Sequence, residues 1–407
     1  MYLERTIETY IKKISSGFPV FLLTGMRQTG KSYILNKIKE HGRKYVSLDD
    51  LQIRKFAVED PKGFIDVYQP PVIIDEIQYA PELFTYIKIY VDTHPKQKGL
   101  FWLTGSQRFH LMKGIRESLA GRVAIIDMLG LSYREIANRP DYKPFVPDFN
   151  LAGSKNKFAG LNAIDVFTNI WKGSYPGFIT DSSVDRDAFY RSYLRTYIER
   201  DISDDIGIKN ELQYYDFIRA AASRTGGLLN YSNLSADVDI NVRTAKKWME
   251  ALVRSGLVYI LEPYTPNINR RIANTPKIYF MDTGLAAYLT KWDSPETLMN
   301  GAFNGAVLET YVFCEIMKSY WHNGNEESIY FYRENERKEI DFIIERNNTL
   351  YPIEVKKTAS PDVSDFKNFS LLENFKSKQT GTGAVICMYP EAMPIGKNVL
   401  SVPVWEI

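Results

Sequence analysis

The sequence predicts an α/β protein: a parallel sheet covered by helices, then a small helical unit ending in a two-stranded ladder, then a second α+β unit. Three observations predict it. In the first third, short apolar runs alternate with amphipathic segments, as strands and crossover helices do in a parallel sheet covered on both faces. Between 211 and 285, helical patterns precede two strand-like runs. From about 300, an apolar helix leads into three strand-like runs.

The expected strands of the first sheet are PVFLLTG (19–25), KYVSLDD (44–50), PVIIDEI (71–77), LFWLTGS (100–106) and VAIIDMLGL (123–131). Helical patterns such as KSYILNKIKEHG and PELFTYIKIYVDTH lie between them. Residues 139–163 carry Pro, Asp, Asn, Gly and Lys and read as a loop or linker. A helix, FYRSYLRTYIERDI (189–202), follows. Over 211–264, ELQYYDFIRAAASRTG precedes two further helices, started by Asn230 and Asn241, and the strand LVYILEPY. PKIYFMD (276–282) continues it. That order is a winged helix-turn-helix. The last unit runs from the helix GAVLETYVFCEIMKSYW through SIYFYRE, EIDFIIE and TLYPIEVKKT. The helix SDFKNFSLLENFK and the strands GAVICMYP and VLSVPVWEI close it. The expected boundaries are 1–138, 139–210, 211–285 and 286–407.

Composition narrows the class. Charged residues are 25% and aromatics 14% of the 407, so extensive disorder is not expected. The net charge of +2 lacks the basic excess of a general nucleic-acid binder, although a local basic face is compatible with it. Cys314 and Cys387 sit in apolar runs, which suits buried thiols in a reducing compartment. The N-terminus lacks a signal-peptide core, and no apolar run is long enough to span a bilayer. A cytoplasmic chain with no membrane partner is the expectation. The four scattered histidines receive no role.

The octamer GMRQTGKS (25–32) matches G-x-x-x-x-G-K-[ST] after an apolar strand and at the start of a helix. This is the P-loop of a P-loop NTPase fold. Gly25 and Gly30 let the backbone wrap around phosphates, with Met26, Arg27, Gln28 and Thr29 forming the loop and Tyr33 following it. Lys31 brings a compact charge to the β/γ-phosphates, and the Ser32 hydroxyl is a Mg²⁺ ligand. ATP and Mg²⁺ are the expected cofactors. VIIDEIQ (72–78) supplies Asp75 to hold Mg²⁺ and Glu76 to orient the attacking water. Alternation along a strand would aim these two carboxylates apart. On the next strand, Thr104 or, preferably, Ser106 would sense the γ-phosphate. Arg122 and Arg108 are candidates for an arginine acting on a neighbouring subunit's nucleotide in a homo-oligomer, or are solvated surface residues.

The third helix of the winged unit carries Arg243, Lys246, Lys247 and Trp248. It either meets DNA or RNA phosphates or packs as a lid, since Asp237, Asp239 and Glu250 dilute its charge. In the last unit, a turn at Arg346-Asn347-Asn348 would fold the Asp341 strand against the strand bearing Glu354 and Lys356. Asp341 and Glu354 would then come within reach of one cation, beside a lysine and an activated water. The alternative is an amphipathic hairpin with a solvated Glu–Lys face.

The whole chain resembles a widespread prokaryotic family of AAA-type P-loop ATPases with a PD-(D/E)XK nuclease-like C-terminal domain of unknown function. The resemblance rests on GMRQTGKS, VIIDEIQ, LTGS with ESLAGR, LSYREI (131–136), GSYPGF (173–178), YIERDI (197–202), EIDFIIE and PIEVKKT. It implies nucleotide binding at Gly25, Gly30, Lys31, Ser32 and Asp75. It also implies a restriction-endonuclease-like C-terminal fold with Glu309, Asp341 and Glu354 as metal ligands and Asp341, Glu354 and Lys356 as catalytic residues. The expectation is an ATPase working on nucleic acid, or an ATP-switched interaction protein whose last domain only docks.

Overall fold

The computed structural model describes residues 2–106, 118–152, 161–197, 210–267, 274–326, 328–335 and 338–407. The five apolar runs of the first third become β1 (Val20–Thr24), β2 (Lys44–Ser47), β3 (Val72–Asp75), β4 (Phe101–Thr104) and β5 (Val123–Asp127). They pair in parallel in the order β2-β3-β4-β1-β5. The three central strands are buried at every position, as a sheet covered on both faces requires.

Alternation along β1 divides the two layers. Phe21 and Leu23 pack with Ile7 and Ile11 of α1 (Ile7–Gly17) and with Ile34 and Leu35 of α2 (Lys31–Ile38). Val20 and Leu22 face the layer holding Ala57 of α3 (Leu51–Glu59), Phe64 of α4 (Pro61–Val67) and Phe84 of α5 (Leu83–Thr93). The order also inserts β4 between β1 and β3. The end of β4 therefore lies between the glycine-rich loop and the acidic strand, and this is what assembles the site.

A short helix, α6 (Tyr133–Ile136), leads to α7 (Ala163–Lys172), α8 (Pro176–Ile179) and α9 (Arg186–Tyr197). Then come α10 (Glu211–Ala222), α11 (Tyr231–Asp237), α12 (Val242–Arg254) and the antiparallel pair β6 (Val258–Leu261) and β7 (Lys277–Phe280). Asn230 and Asn241 cap α11 and α12 by accepting from Asn233 N–H at 3.0 Å and Thr244 N–H at 2.8 Å. Along α12, Arg243, Lys246 and Lys247 are exposed. Trp248, expected beside them, instead packs on Tyr214 and Phe217 because it falls on the apolar stripe of the helix.

The chain continues through α13 (Thr283–Leu289), α14 (Pro295–Asn300) and α15 (Asn304–Trp321) into a second sheet. Its strands are β8 (Ile329–Asn335), β9 (Lys338–Arg346), β10 (Thr349–Val355), β11 (Gln379–Thr380), β12 (Gly383–Cys387), β13 (Met393–Gly396) and β14 (Val399–Pro403). The order is β13-β14-β12-β10-β9-β8, with β11 beside β10. β9 and β10 form a tight hairpin. Its two turn residues, Asn347 and Asn348, have φ of 50° and 61°, the pair of positive values that a two-residue turn needs. Arg346, expected in the turn, is still in β9.

The segment expected as the helix SDFKNFSLLENFK is instead 3₁₀, Val363–Asn374, broken at Phe366. Phe366 and Phe369 both reach the sheet, where they close on Gly396 and Gly383, and the 3₁₀ turn stacks such i, i+3 side chains. One apolar core links the helices after the first sheet to the second sheet. It joins Phe167 of α7, Tyr190 of α9, Phe217 of α10, Met249 of α12, Phe313 of α15 and Ile353 of β10.

Candidate nucleotide-binding site

The loop between β1 and α2 is shaped by its glycines. Gly25 has φ of 141°, and a Cβ there would lie 2.2 Å from the Met128 carbonyl oxygen. Gly30 has φ of 92° where α2 begins. We predict that Gly25→Ala costs about 1–3 kcal/mol of stability and removes nucleotide binding, since rigid backbone must move to admit one methyl. Thermal unfolding and titration with a fluorescent ATP analogue would check it, and unchanged affinity would count against the loop's role.

Within the loop, Lys31 is 5% exposed and its Nζ lies 3.1 Å from Gly25 O and 2.8 Å from Met26 O. Thr29 Oγ1 donates to Met26 O at 3.0 Å. Met26 is buried against the core, with its Sδ 3.6 Å from the Tyr175 hydroxyl, while Arg27 is half-buried and Gln28 exposed. Ser32 Oγ donates to Asp75 Oδ1 at 2.6 Å, and Tyr45 donates to Asp75 Oδ2 at 2.9 Å. A hydroxyl already on a carboxylate, beside a loop with a buried ammonium, is the hard-oxygen donor set that suits Mg²⁺ on a nucleotide.

Glu76 departs from the expected strand alternation. β3 ends at Asp75, and Glu76 takes φ of 55° to start a 3₁₀ turn. This left-handed residue, not the pleat, turns the second carboxylate away from the first. Its N–H donates to Thr104 Oγ1 at 3.1 Å, and Gln78 Nε2 holds its Oε2. Ser106 Oγ is 3.4 Å from the same oxygen, whereas the fully buried Thr104 also donates to Asp75. Ser106 thus lies beside the Glu76 carboxylate, and Thr104 links the Asp75 carboxylate to the Glu76 backbone. Arg122 precedes β5 at the far end of the sheet, about 15 Å from the loop at ~3.3 Å per residue. It pairs with Asp92 at 2.6 Å. Arg108 lies outside the described residues.

Two features escaped the sequence reading. A cavity of about 370 Å³ opens beside Gly30 and Tyr33, walled by Tyr2, Leu3, Pro176 and Gly177. GSYPGF therefore borders the nucleotide loop. Second, Glu135 of LSYREI is fully buried and accepts from Arg5 Nε at 3.0 Å and Thr6 N–H at 2.9 Å. His322 Nδ1 of the C-terminal region is 3.3 Å away. Arg5 also donates to Thr29 O in the loop at 3.3 Å. A carboxylate in a motif of unknown purpose was the available signal.

In the C-terminal unit, the strand register places Asp341 and Glu354 on neighbouring strands. Each acid already has a partner. Asp341 Oδ2 accepts from Val355 N–H at 2.8 Å, and Glu354 Oε1 takes Lys356 Nζ at 2.7 Å. Glu309 Oε1 takes Lys277 Nζ at 2.9 Å and the Tyr279 hydroxyl at 2.5 Å. Burial raises the carboxyl pKa of all three, and Asp341 pushes Glu309 and Glu354 further the same way. Among the described residues, no group of three or more His, Cys, Asp or Glu side chains is placed to hold a metal ion. The metal set implied by the resemblance does not fit this arrangement.

Residues 17–137 match the family model described as AAA domain. Residues 164–296 and 304–407 match two described as Domain of unknown function (DUF8612) and Domain of unknown function (DUF4143). Uncharacterized proteins of Mycobacterium tuberculosis and Mycobacterium bovis are each 26% identical over 400 residues, covering 96% of this chain and 81% of theirs. A Walker-type ATPase of Pyrococcus abyssi aligns at 17% identity with a TM-score of 0.41, over 71% of this chain and 96% of that one. No helix among the described residues is long and apolar enough to cross a membrane. With the loop, the acidic strand and the family match in agreement, the N-terminal part of this chain is an AAA-type P-loop ATPase domain.

Proposed function

We propose that this chain is a Mg-ATP-driven switch. The α10–β7 unit, read as a winged helix, senses the nucleotide state and engages nucleic acid. Bound Mg²⁺ would neutralise charge on the phosphate oxygens. Lys31 holds the β/γ-phosphates, and Ser32 and Asp75 hold the metal. Glu76, set by Gln78 and Thr104, takes the proton of the water that attacks the γ-phosphorus, releasing ADP and phosphate. Ser106 steadies that water or the γ-phosphate. The cavity beside Tyr33 and Pro176 receives the base.

The observation that carries the coupling is the seam between loop and winged unit. A Cβ on Gly256, just after α12, would lie 3.4 Å from Met26 Cγ. A cavity of about 250 Å³ there is lined by Gly25, Met26, Ser106 and Arg254. A change at the loop is thus felt directly at the end of the helix bearing Arg243, Lys246 and Lys247. The boundaries 1–138, 139–210, 211–285 and 286–407 suit this division of labour.

DNA binding across a salt series tests the reading. Affinity is expected to differ between ADP and ATP states and to fall with salt. Replacing Arg243, Lys246 and Lys247 by alanine should lower the log–log slope by roughly two to three. No binding at low salt in either state would sink the nucleic-acid part. It would leave an ATP-switched interaction protein.

For the C-terminal domain, a nuclease-like fold that docks without cutting is the favoured reading. The observation favouring it is that Glu309, Asp341 and Glu354 are each already engaged by lysine or backbone groups. Cleavage of DNA or RNA with Mg²⁺ or Mn²⁺, lost in Asp341→Ala and Lys356→Ala, would overturn it.

A further inference from the structure

The carboxylate of Asp75 is already crowded. The residue is 5% exposed. A carboxylate offers about four lone-pair directions. At Oδ1, Ser32 Oγ donates at 2.6 Å and Thr104 Oγ1 donates as well. At Oδ2, the Tyr45 hydroxyl donates at 2.9 Å. Among the described residues, one direction at Oδ2 is therefore left, enough for a single further donor such as a metal-bound water. Ser32 and Thr104 belong to the loop and to β4, where donors were expected. Tyr45 is the donor that no motif announces.

Tyr45 reaches Asp75 from β2, the edge strand of the sheet. In the register of β2 with β3, Tyr45 lies opposite Ile73, and Ser47 lies opposite Asp75. Paired residues on neighbouring strands share a face, so Tyr45 stands with Ile73 on the α2 side. Its side chain then runs along the sheet toward the end of β3 that carries Asp75. The residue is 38% exposed, with the Lys39 ammonium 5.9 Å from its ring centroid. An aromatic left this open gains little from burial. The charge-assisted hydrogen bond to a buried acid is what fixes it.

The hydroxyl acts on Asp75 in two ways. It stops the carboxylate from turning about its terminal torsion, which is otherwise soft. It also occupies part of the one oxygen that Ser32 and Thr104 leave open. Mg²⁺ gives up its waters reluctantly and accepts an acid held one water away, whereas Ca²⁺ takes carboxylates directly, often through both oxygens. An acid committed to three hydroxyls suits the first ion and not the second.

We infer that Tyr45 is the metal-specificity residue of the nucleotide site: its hydroxyl keeps Asp75 from ligating the nucleotide's cation directly, and so favours Mg²⁺ over Ca²⁺. This rests on the Mg-ATP reading of the loop and adds which ion the site accepts.

The experiment is titration of a fluorescent ATP analogue onto the full chain in Mg²⁺, in Ca²⁺ and in a chelator. Wild type and Tyr45→Phe are compared, with thermal unfolding as the folding control. Phenylalanine keeps the ring and removes only the hydroxyl. Wild type is expected to bind more tightly in Mg²⁺ than in Ca²⁺. In Tyr45→Phe the ratio of the two affinities should fall roughly tenfold, mostly through a gain in Ca²⁺, since one hydrogen bond to a charged group is at stake. Binding in chelator should not change. An unchanged ratio overturns the inference. So does an equal loss in both ions, which would make Tyr45 a general prop of the site, and so does a wild type indifferent to the ion. A wild type that binds no better in Mg²⁺ than in chelator would instead overturn the Mg-ATP reading itself, and this inference with it.

Discussion

Lys31→Ala is expected to abolish ATP turnover, a fall of roughly a hundred- to a thousandfold or more in phosphate release. The ammonium is the charge that the loop aims at its own centre, held 2.8 Å from Met26 O and 3.1 Å from Gly25 O. Those carbonyls are weak partners for a buried cation, so phosphate oxygens displace them readily. Removing the charge lowers both affinity and rate, because it faces the β/γ-phosphates in ground state and transition state alike. Glu76→Gln should behave differently. The amide keeps the volume and the contact to Gln78 but cannot take a proton, so ATP should bind with near-wild-type affinity and turn over slowly. Nucleotide titration beside phosphate release separates the two variants. Equal turnover in Glu76→Gln and wild type would remove Glu76 from its role. Loss of binding in both would mean that Glu76 shapes the site instead.

Lys31 and Glu76 differ in how far the sequence could declare their places. The loop is local. Eight contiguous residues carry the glycines, the lysine and the hydroxyl, and their conformation follows from steric rules that act within the octamer. Asp75 was legible because an acid closing a buried apolar run has few other uses. The manner in which Asp75 and Glu76 diverge was not legible. It depends on a left-handed backbone at Glu76, held by Thr104 from β4, and the insertion of β4 between β1 and β3 is a long-range choice. The basic residues of α12 were visible in the sequence, but the burial of Trp248 follows from which face meets Tyr214 and Phe217. Lys277 looked like one more residue of a strand run. Its place among Glu309 and Glu339 comes from the docking of that strand on another unit, for which no local pattern exists.

The buried carboxylate of Glu135 was equally hidden, and its replacement should have the largest effect on stability. Glu135→Gln is expected to cost about 3–5 kcal/mol at neutral pH, because it leaves the Arg5 guanidinium buried without its counter-charge. Arg5 is 5% exposed, and its remaining partners are the carbonyls of Thr29, Leu129 and Gly130. His322 does not share the role of cation at neutral pH, since burial lowers its pKa and outweighs the pull of Glu135. Burial alone would raise the Glu135 carboxyl. Arg5, His322 and the Ser132 N–H overcome that and hold it well below the usual carboxylate range. A carboxyl whose folded pKa is depressed contributes fully above its unfolded value, about 4.3. That contribution drains away as pH falls from there toward the folded pKa. The gap between wild type and Glu135→Gln should therefore persist from pH 7 down to about 4 and narrow steadily below that. Urea unfolding at a series of pH values measures it, and a gap that stays constant with pH would mean that packing, not charge, holds this joint. Because Arg5 also grips Thr29 in the nucleotide loop, the folded fraction of the same variant should bind ATP more weakly at pH 7. Weakened binding would place the loop, the LSYREI segment and the His322 end of the C-terminal helix in one energetic unit, whereas unchanged affinity would confine Glu135 to stability alone.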